Sequence, residues 1–330
     1  MSSALDCELN GQKQPNKERF MTDAIKQAVN QWEVGNVKIT RVIELEHGRF
    51  PPGFLFDGLT EDRVKSIGWL HPNYADPDGT IRISIHAYVI ESQRRRIILD
   101  PCVGNDKPRS MENWNMMKVP FLERLAEAGF TPDQIDFVLC THLHLDHVGW
   151  NTRWDGKKWV PTFPNARYIF GRLEWDHWSN ENRAKGTMEL PQPLYEDLDV
   201  AIRDSVLPVV EAGLHDLVET DHRLTEEVSL FPTPGHTPGH VVVSIRSKGK
   251  QAVITGDLMH NPVQIADPNI CSNLDVDKAL ALETRRAFIG RHVDKDILVL
   301  GTHFPTPSGG HIVRDSKAFR FVAAGKKSDD

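Results

Sequence analysis

Six consecutive residues constrain this chain more than any others: His142-Leu143-His144-Leu145-Asp146-His147. Three imidazoles and one carboxylate in six positions exceed what packing alone uses. They follow, after Thr141, the apolar run Ile135-Asp136-Phe137-Val138-Leu139-Cys140, which reads as a buried strand running into a loop. In extended or loop backbone alternate side chains point the same way, so His142 and His144 can converge on one ion. Asp146 and His147 are neighbours and diverge, which suits a second ion close by. Neutral imidazole and carboxylate are ligands that Zn(II) and its borderline neighbours accept. The competing reading, a polar loop that happens to be histidine-rich, fits a lone histidine far better than this cluster.

Further candidate ligands recur downstream in the same setting. Val228-Ser229-Leu230-Phe231 predicts a short strand, followed by the turn-rich Pro232-Thr233-Pro234-Gly235-His236-Thr237-Pro238-Gly239-His240. Val241 to Ile245 and Ala252 to Thr255 predict two more strands around a Lys248-Gly249-Lys250 turn, the second ending at Gly256-Asp257. Ile297 to Leu300 leads into Gly301-Thr302-His303. His142, His236, Asp257 and His303 thus each follow a buried strand. Strands of a layered α/β domain end on a common edge, so these loops can meet at one rim.

Taken in order, Asp100, His142, His144, Asp146, His147, His236, Asp257 and His303 resemble the motif series of the metallo-β-lactamase superfamily of binuclear hydrolases, across residues 97 to 305. The resemblance implies an α/β fold, an αββα four-layer sandwich with the metals at one end. It gives His142, His144 and His236 to a first metal and Asp146, His147 and His303 to a second, with Asp257 bridging. Asp100 matches the acidic residue that supports the ligand loop, against the plainer reading of a turn-opening acid before Pro101. The implied cofactor is two divalent transition-metal ions, zinc by default. The implied reaction is hydrolysis of a small-molecule ester or lactone by a hydroxide held between the ions, with Asp257, Asp146 and His260 as the catalytic candidates. An organophosphate triester hydrolase is the runner-up. A metal-binding, ligand-recognising module with little turnover is the reading from another class, although no ligand position is lost.

Within the superfamily the residues allow some sorting. Class B β-lactamases lack the bridging aspartate that Asp257 matches, and flavodiiron members carry glutamate where this chain has His144. With 39 Lys+Arg against 46 Asp+Glu and a net charge of −7, the average field repels nucleic acid. The resemblance is nearest to the lactonase and methyl parathion hydrolase branches. Quorum-quenching lactonases place a tyrosine three positions after the bridging aspartate; here it is His260. Three roles stay open for it: orienting Asp257, donating a proton, or sitting in the loop without a role. His240 reads as structural rather than as a ligand.

The expected organisation is an N-terminal arm over 1–35 with a helix around Thr22 to Trp32, a single domain over 36–322, and a flexible tail over 323–330. Residues 149–224 form an aromatic-rich insertion holding Trp150, Trp154, Trp159, Trp175 and Trp178, of which one or two are candidates to line the pocket. Tyr195 to Ala212 predicts a helix that Pro208 kinks or ends. The apolar loop Gly48 to Phe56 is expected to cover the site or to meet another subunit. Cys7, Cys102, Cys140 and Cys271 are too scattered for a disulfide scaffold. With neither a bilayer-length apolar run nor a signal-peptide pattern, the expectation is a cytoplasmic protein acting on a small molecule, without nucleic acid or membrane partners, and with homodimerisation left open.

Overall fold

Apolar runs become strands buried on both faces, and the period of two decides which face each side chain takes. The computed structural model describes residues 29–180 and 186–324. β1 (Val29–Val34), β2 (Val37–Phe50), β3 (Ile81–Ser92), β4 (Arg95–Leu99) and β5 (Phe137–Leu139) lie side by side in that order. A small hairpin, β6 (Thr152–Trp154) with β7 (Trp159–Pro161), stands apart from them. The first sheet is then completed by β8 (Arg167–Gly171) and β9 (His215–Val218). The second sheet runs in chain order through β10 (Val228–Pro232), β11 (Val241–Ser247), β12 (Lys250–Ile254), β13 (Ile297–Leu300), β14 (Gly309–Asp315) and β15 (Ala318–Ala323).

The two sheets share one interior. Ile97 and Leu99 of β4 and Leu139 of β5 fall in the same apolar cluster as Val241, Val243 and Ile245 of β11 and Ile254 of β12. The intervening Ile98 and Val138 point the other way, into a cluster with Phe121 and Leu125 of the helix Phe121–Glu127. Val242, Val253 and Val299 likewise join Phe288 and Ile289 of the helix Lys278–His292. Helices therefore cover both outer faces, and the layers read αββα. Each fully buried aliphatic side chain of this kind stabilises the fold by about 1.5–3 kcal/mol.

Both sheets are mixed, and their parallel pairs place the site. β4 and β5 run parallel with Leu99 opposite Leu139, and β12 and β13 run parallel with Ile254 opposite Leu300. The loops after parallel neighbours leave from the same edge. The segments carrying Asp100, His142, Asp257 and His303 therefore emerge together.

Four sequence expectations need correction. Of the helix expected over Thr22 to Trp32, residues before Val29 lie outside the described residues, while Val29–Val34 is strand β1, paired antiparallel to β2. The hydrophobic edge of the sheet took residues that helical spacing also suits. Residues 149–224 are not simply an insertion, because they supply β8 and β9 to the first sheet. The tail's first residue, Ala323, belongs to β15, and residues from 325 onward lie outside the described residues. Around Pro208 the helix Gln192–Ala201 neither stops nor merely bends. It widens into a π turn over Ile202–Val206 and resumes over Leu207–Glu211. Among the described residues no helix is long and apolar enough to cross a membrane.

Candidate metal centre

The expected ligands converge into two adjoining groups, His142, His144, His236 and Asp257 in one and Asp146, His147 and His303 in the other. In the first, His144 Nδ1 lies 3.0 Å from His236 Nε2, and Asp257 Oδ2 lies 3.6 Å from His142 Nε2 and 3.4 Å from His236 Nε2. In the second, His147 Nε2 and His303 Nε2 are 3.1 Å apart, and Asp257 Oδ1 lies 3.3 and 3.0 Å from them. Asp146 completes it at 3.6 Å from His147 Nε2 and 3.5 Å from His303 Nε2. Ligands at zinc distance on a tetrahedron stand roughly 3.3 Å apart, so both groups have the spacing of a coordination shell. The two oxygens of Asp257 divide between them.

The protein also sets which ring nitrogen is bare. His303 Nδ1 lies 3.0 Å from the Ser84 carbonyl and His236 Nδ1 lies 3.0 Å from Asp275 Oδ1, so in both the proton sits on Nδ1. The Thr141 hydroxyl donates to Asp100 Oδ2 at 2.8 Å, which leaves its oxygen to accept from His142 Nδ1 at 3.1 Å. His147 Nδ1 faces Asp100 Oδ2 at 3.2 Å. Each Nε2 lone pair is thereby aimed inward. His142 Nε2 and Asp257 Oδ1 are buried with no hydrogen-bond partner. Orphaned donor-set atoms of this kind fit a pair of divalent cations.

Electrostatics agree. Burial, with the neighbouring imidazoles, holds His142 and His144 well below the usual histidine range, in the neutral form that ligates metal. Burial works the same way on His147, but Asp257, Asp146 and Asp100 overcome it and push that imidazole well up. Three carboxylates around one ring demand positive charge.

A profile of the Metallo-beta-lactamase superfamily matches residues 81–303. The chain belongs to that superfamily. It is 23% identical over 221 residues to an N-acyl homoserine lactonase of Bacillus cereus, covering 62% of this chain and 76% of that protein. A probable metallo-hydrolase of Bacillus subtilis, YybB, is 27% identical over 148 residues, 42% of this chain and 55% of the other. Among solved structures, the superfamily hydrolase AbOPH superposes with a TM-score of 0.75 at 25% identity, covering 91% of this chain and 98% of its own. AidC, described as a dizinc quorum-quenching lactonase, superposes at 0.77 with 20% identity and the same coverages. This chain is a metallo-hydrolase of the metallo-β-lactamase superfamily, and its relatives imply divalent metal ions.

Around the centre of this superfamily member stand residues that its sequence did not single out. Asp275 accepts from His236 Nδ1 and also from Ser272 N at 2.9 Å, with Arg285 Nη2 3.5 Å away. Glu174 gathers N–H donors from Gly239 at 2.7 Å, the Trp178 indole at 2.8 Å and Leu143 at 3.3 Å, tying both ligand loops together. Glu44 accepts from Val103 N, Gly104 N and the Trp150 indole at 2.9, 3.0 and 2.6 Å. It thereby holds the loop in which Asp100 and Cys102 have left-handed φ of 49° and 51°. Side chains at Gly149 are excluded there, since a Cβ would lie 1.9 Å from the Val103 carbonyl oxygen. His240 is placed as expected, outside the ligand groups: its Nδ1 meets Thr233, and its Nε2 accepts the Asp257 backbone N–H. His260 Nε2 lies 3.2 Å from Asp257 Oδ2, and neither ring nitrogen has a hydrogen-bond partner.

Over the ligands lies a narrow apolar cleft with about 60 Å³ of free volume. Small-molecule pockets run to ~300–1,000 Å³, so a substrate of ordinary size moves the wall side chains. Phe50 and Phe54, stacked at 5.6 Å, and Leu55 come from the loop expected to cover the site. Met111, Trp114, Leu194 and Leu198 supply other wall positions, and among the described residues no lysine or arginine lines the cleft. The tryptophan in this wall is therefore Trp114, outside the stretch from which it was expected. Trp178 instead packs edge-on against His144 at 5.0 Å, and Trp154 is exposed. A larger groove of ≈390 Å³ beside Phe231 and Arg291 contains none of the ligands.

Proposed function

We propose that this protein hydrolyses a small, uncharged ester or lactone at a two-metal centre. His142, His144 and His236 hold one ion, Asp146, His147 and His303 the other, and Asp257 both. The observation that carries this reading is the division of the Asp257 oxygens between the two groups beneath a cleft with apolar walls. When bound, a pair of divalent cations supplies a nucleophile near neutral pH by lowering the pKa of water to roughly 7, and polarises the oxygen under attack. Neutral histidines leave the centre net positive, which favours charge developing on that oxygen. The apolar walls exclude water and admit an acyl or aryl group. Among the described residues they offer no cation to an anionic substrate. Asp257 can take up and pass on the proton released by the attacking water, with His260 3.2 Å from its Oδ2 as the adjoining relay or donor. The similarity to lactonases of Bacillus supports the substrate class. Zinc is the metal this donor set suits best.

A neutral phosphotriester is the second reading, favoured by His260 standing where lactonases of this branch carry tyrosine. A hydrolysis panel on metal-replete protein separates the two: lactones, aryl esters, phosphotriesters, thioesters and a β-lactam, with metal content measured on the same preparation. Turnover greatest on lactones or esters, with two ions per chain and loss of activity on chelation before unfolding, is the expected result. Preference for phosphotriesters, or saturation at a single ion, contradicts the proposal.

A further inference from the structure

The segment from Gly104 to Met117 leaves the first sheet after β4 and closes on itself. Asp106 N donates to Met117 O at 3.1 Å, Met116 N to Lys107 O at 2.8 Å, and Arg109 N to Asn115 Oδ1 at 3.1 Å. Its far end carries Met111 and Trp114 into the cleft. Leu194 and Leu198, on the helix Gln192–Ala201, line the same cleft. These two pieces of wall are far apart in sequence, so their separation depends on whatever ties them.

Two ties are built into the structure. Ser110 donates to Asp197 Oδ2 from its backbone N at 2.7 Å and its hydroxyl at 2.6 Å. Deeper in, Arg109 meets Asp204 with both terminal nitrogens, at 2.8 and 3.1 Å, and Lys107 Nζ lies 3.4 Å from the same carboxylate. The side chains of both cations have 0% exposure and that of Asp204 has 7%. Two cations on one carboxylate leave a buried excess of positive charge, which needs other partners. Lys107 Nζ finds them in the face of Trp159, 3.8 Å from the ring centroid, Thr152 Oγ1 at 3.0 Å and the Asp204 carbonyl at 3.3 Å.

That carbonyl is free for a reason written in the sequence. In an α-helix it would accept the N–H of the residue four positions on, which is Pro208 and has none. The helix widens into the π turn instead, and the orphaned oxygen accepts from Lys107 and from the Thr152 hydroxyl. A buried network built on three charges and an orphaned carbonyl holds as a unit, because losing one member leaves others unsatisfied. None of its partners is a metal ligand.

We infer that the Lys107–Arg109–Asp204 cluster fixes the spacing between the Met111–Trp114 and Leu194–Leu198 walls and so sets which acyl-chain lengths the cleft accepts. These are positioning residues: they act through the four apolar side chains and touch no substrate. The inference rests on the ester or lactone reading for its substrate, but the spacing itself is a property of the cleft.

The test uses full-length, metal-replete protein and two variants. Lys107→Met removes one cation and leaves a matched Arg109–Asp204 pair. Ser110→Ala loosens the shallow tie by removing the hydroxyl, keeps the backbone N–H on the Asp197 carboxylate, leaves the Lys107–Arg109–Asp204 charges intact, and serves if Lys107→Met does not fold. Hydrolysis of lactones with acyl chains from butanoyl to decanoyl is measured beside calorimetric binding of the straight-chain carboxylates butanoate to decanoate. The expected result is a change of about fivefold or more in the long-to-short ratio of kcat/KM, carried by KM, with a parallel change in the carboxylate series and two ions still bound. A ratio unchanged in the folded variants, or a loss uniform across chain lengths, overturns the inference. If wild type hydrolyses no lactone or ester while the carboxylate profile still shifts in the variants, the substrate reading fails and the wall-spacing inference stands. If wild type turns lactones over and neither profile shifts, the reverse holds.

Discussion

His240 Nε2 accepts the backbone N–H of Asp257 at 2.8 Å, so a histidine outside both ligand groups holds the residue that faces them. Burial, then the neighbouring His236, pushes His240 down to about 3, which keeps it neutral and Nε2 free to accept. The preceding Gly256 has a φ of 51°, and a Cβ there would lie 2.5 Å from the same Nε2. His240→Ala leaves a buried N–H unpaired, at a cost of about 1–3 kcal/mol. If that N–H fixes Asp257, metal affinity also falls by roughly 10–100-fold. Chelator competition and urea unfolding on one preparation check both, and unchanged affinity would show that Asp257 needs no such support.

Glu44 is a carboxylate enclosed by three N–H donors and still pushed up to about 7, because burial outweighs them. Its folded value exceeds the unfolded one, so between about 4.5 and 7 the native state binds the extra proton, and stability falls as pH rises through that window. For this buried group the loss is on the order of 3 kcal/mol. Glu44→Gln does not titrate. In metal-stripped protein the difference in unfolding free energy between variant and wild type is expected to grow in favour of the variant from pH 4.5 to 7. Parallel curves across that range would mean that Glu44 keeps an ordinary carboxyl pKa.

All the expected ligands meet at the centre because each lies in a short motif after a buried strand, where local spacing carries the information. The runs Val241–Ile245 and Ile297–Leu300 were legible for the same reason, being apolar and bounded by turns. The stacking of two sheets was not in the spacing and came from the resemblance. Asp275, Glu44 and Glu174 escaped because their partners are remote in sequence: His236 is 39 positions from Asp275, Val103 is 59 from Glu44, and Leu143 is 31 from Glu174. A lone acid has no pattern until the fold supplies its donors. Trp114 was passed over for the converse reason, since a dense run of tryptophans drew the expectation to residues that pack elsewhere.

Asp275 offers a direct probe of one ligand group. It fixes the His236 tautomer at 3.0 Å and also faces the buried Arg285. Burial opposes ionisation of Asp275, yet the hydrogen bond from His236 leads the interactions that lower its pKa. Asp275→Asn keeps an acceptor but loses the charge; Asp275→Ala loses both. Affinity for the ion held by His142, His144 and His236 is expected to fall by roughly 10–100-fold in the alanine variant and less in the asparagine variant. Stepwise metal release under chelator should then separate the two ions. Equal weakening of both would place the effect of Asp275 in the fold as a whole.

His260 joins the centre to the cleft. Its Nε2 lies 3.2 Å from Asp257 Oδ2, its ring stacks on His303 at 5.7 Å, and it lines the cleft. Burial first, and then nearby His236 and His303, hold it below the usual histidine range despite Asp257. The neutral ring has one N–H, and the Asp257 carboxylate stands beside its Nε2. If His260 serves substrate as a proton donor, His260→Ala lowers turnover by about 10²-fold or less with two ions still bound, within the range of general acid–base catalysis. If it serves by orienting Asp257, metal affinity falls by roughly 10–100-fold as well. Metal content and turnover measured on the same His260→Ala preparation divide these outcomes. The geometry favours the second, because the contact with Asp257 already exists without substrate. Normal values for both would leave the His260–Asp257 contact without a function.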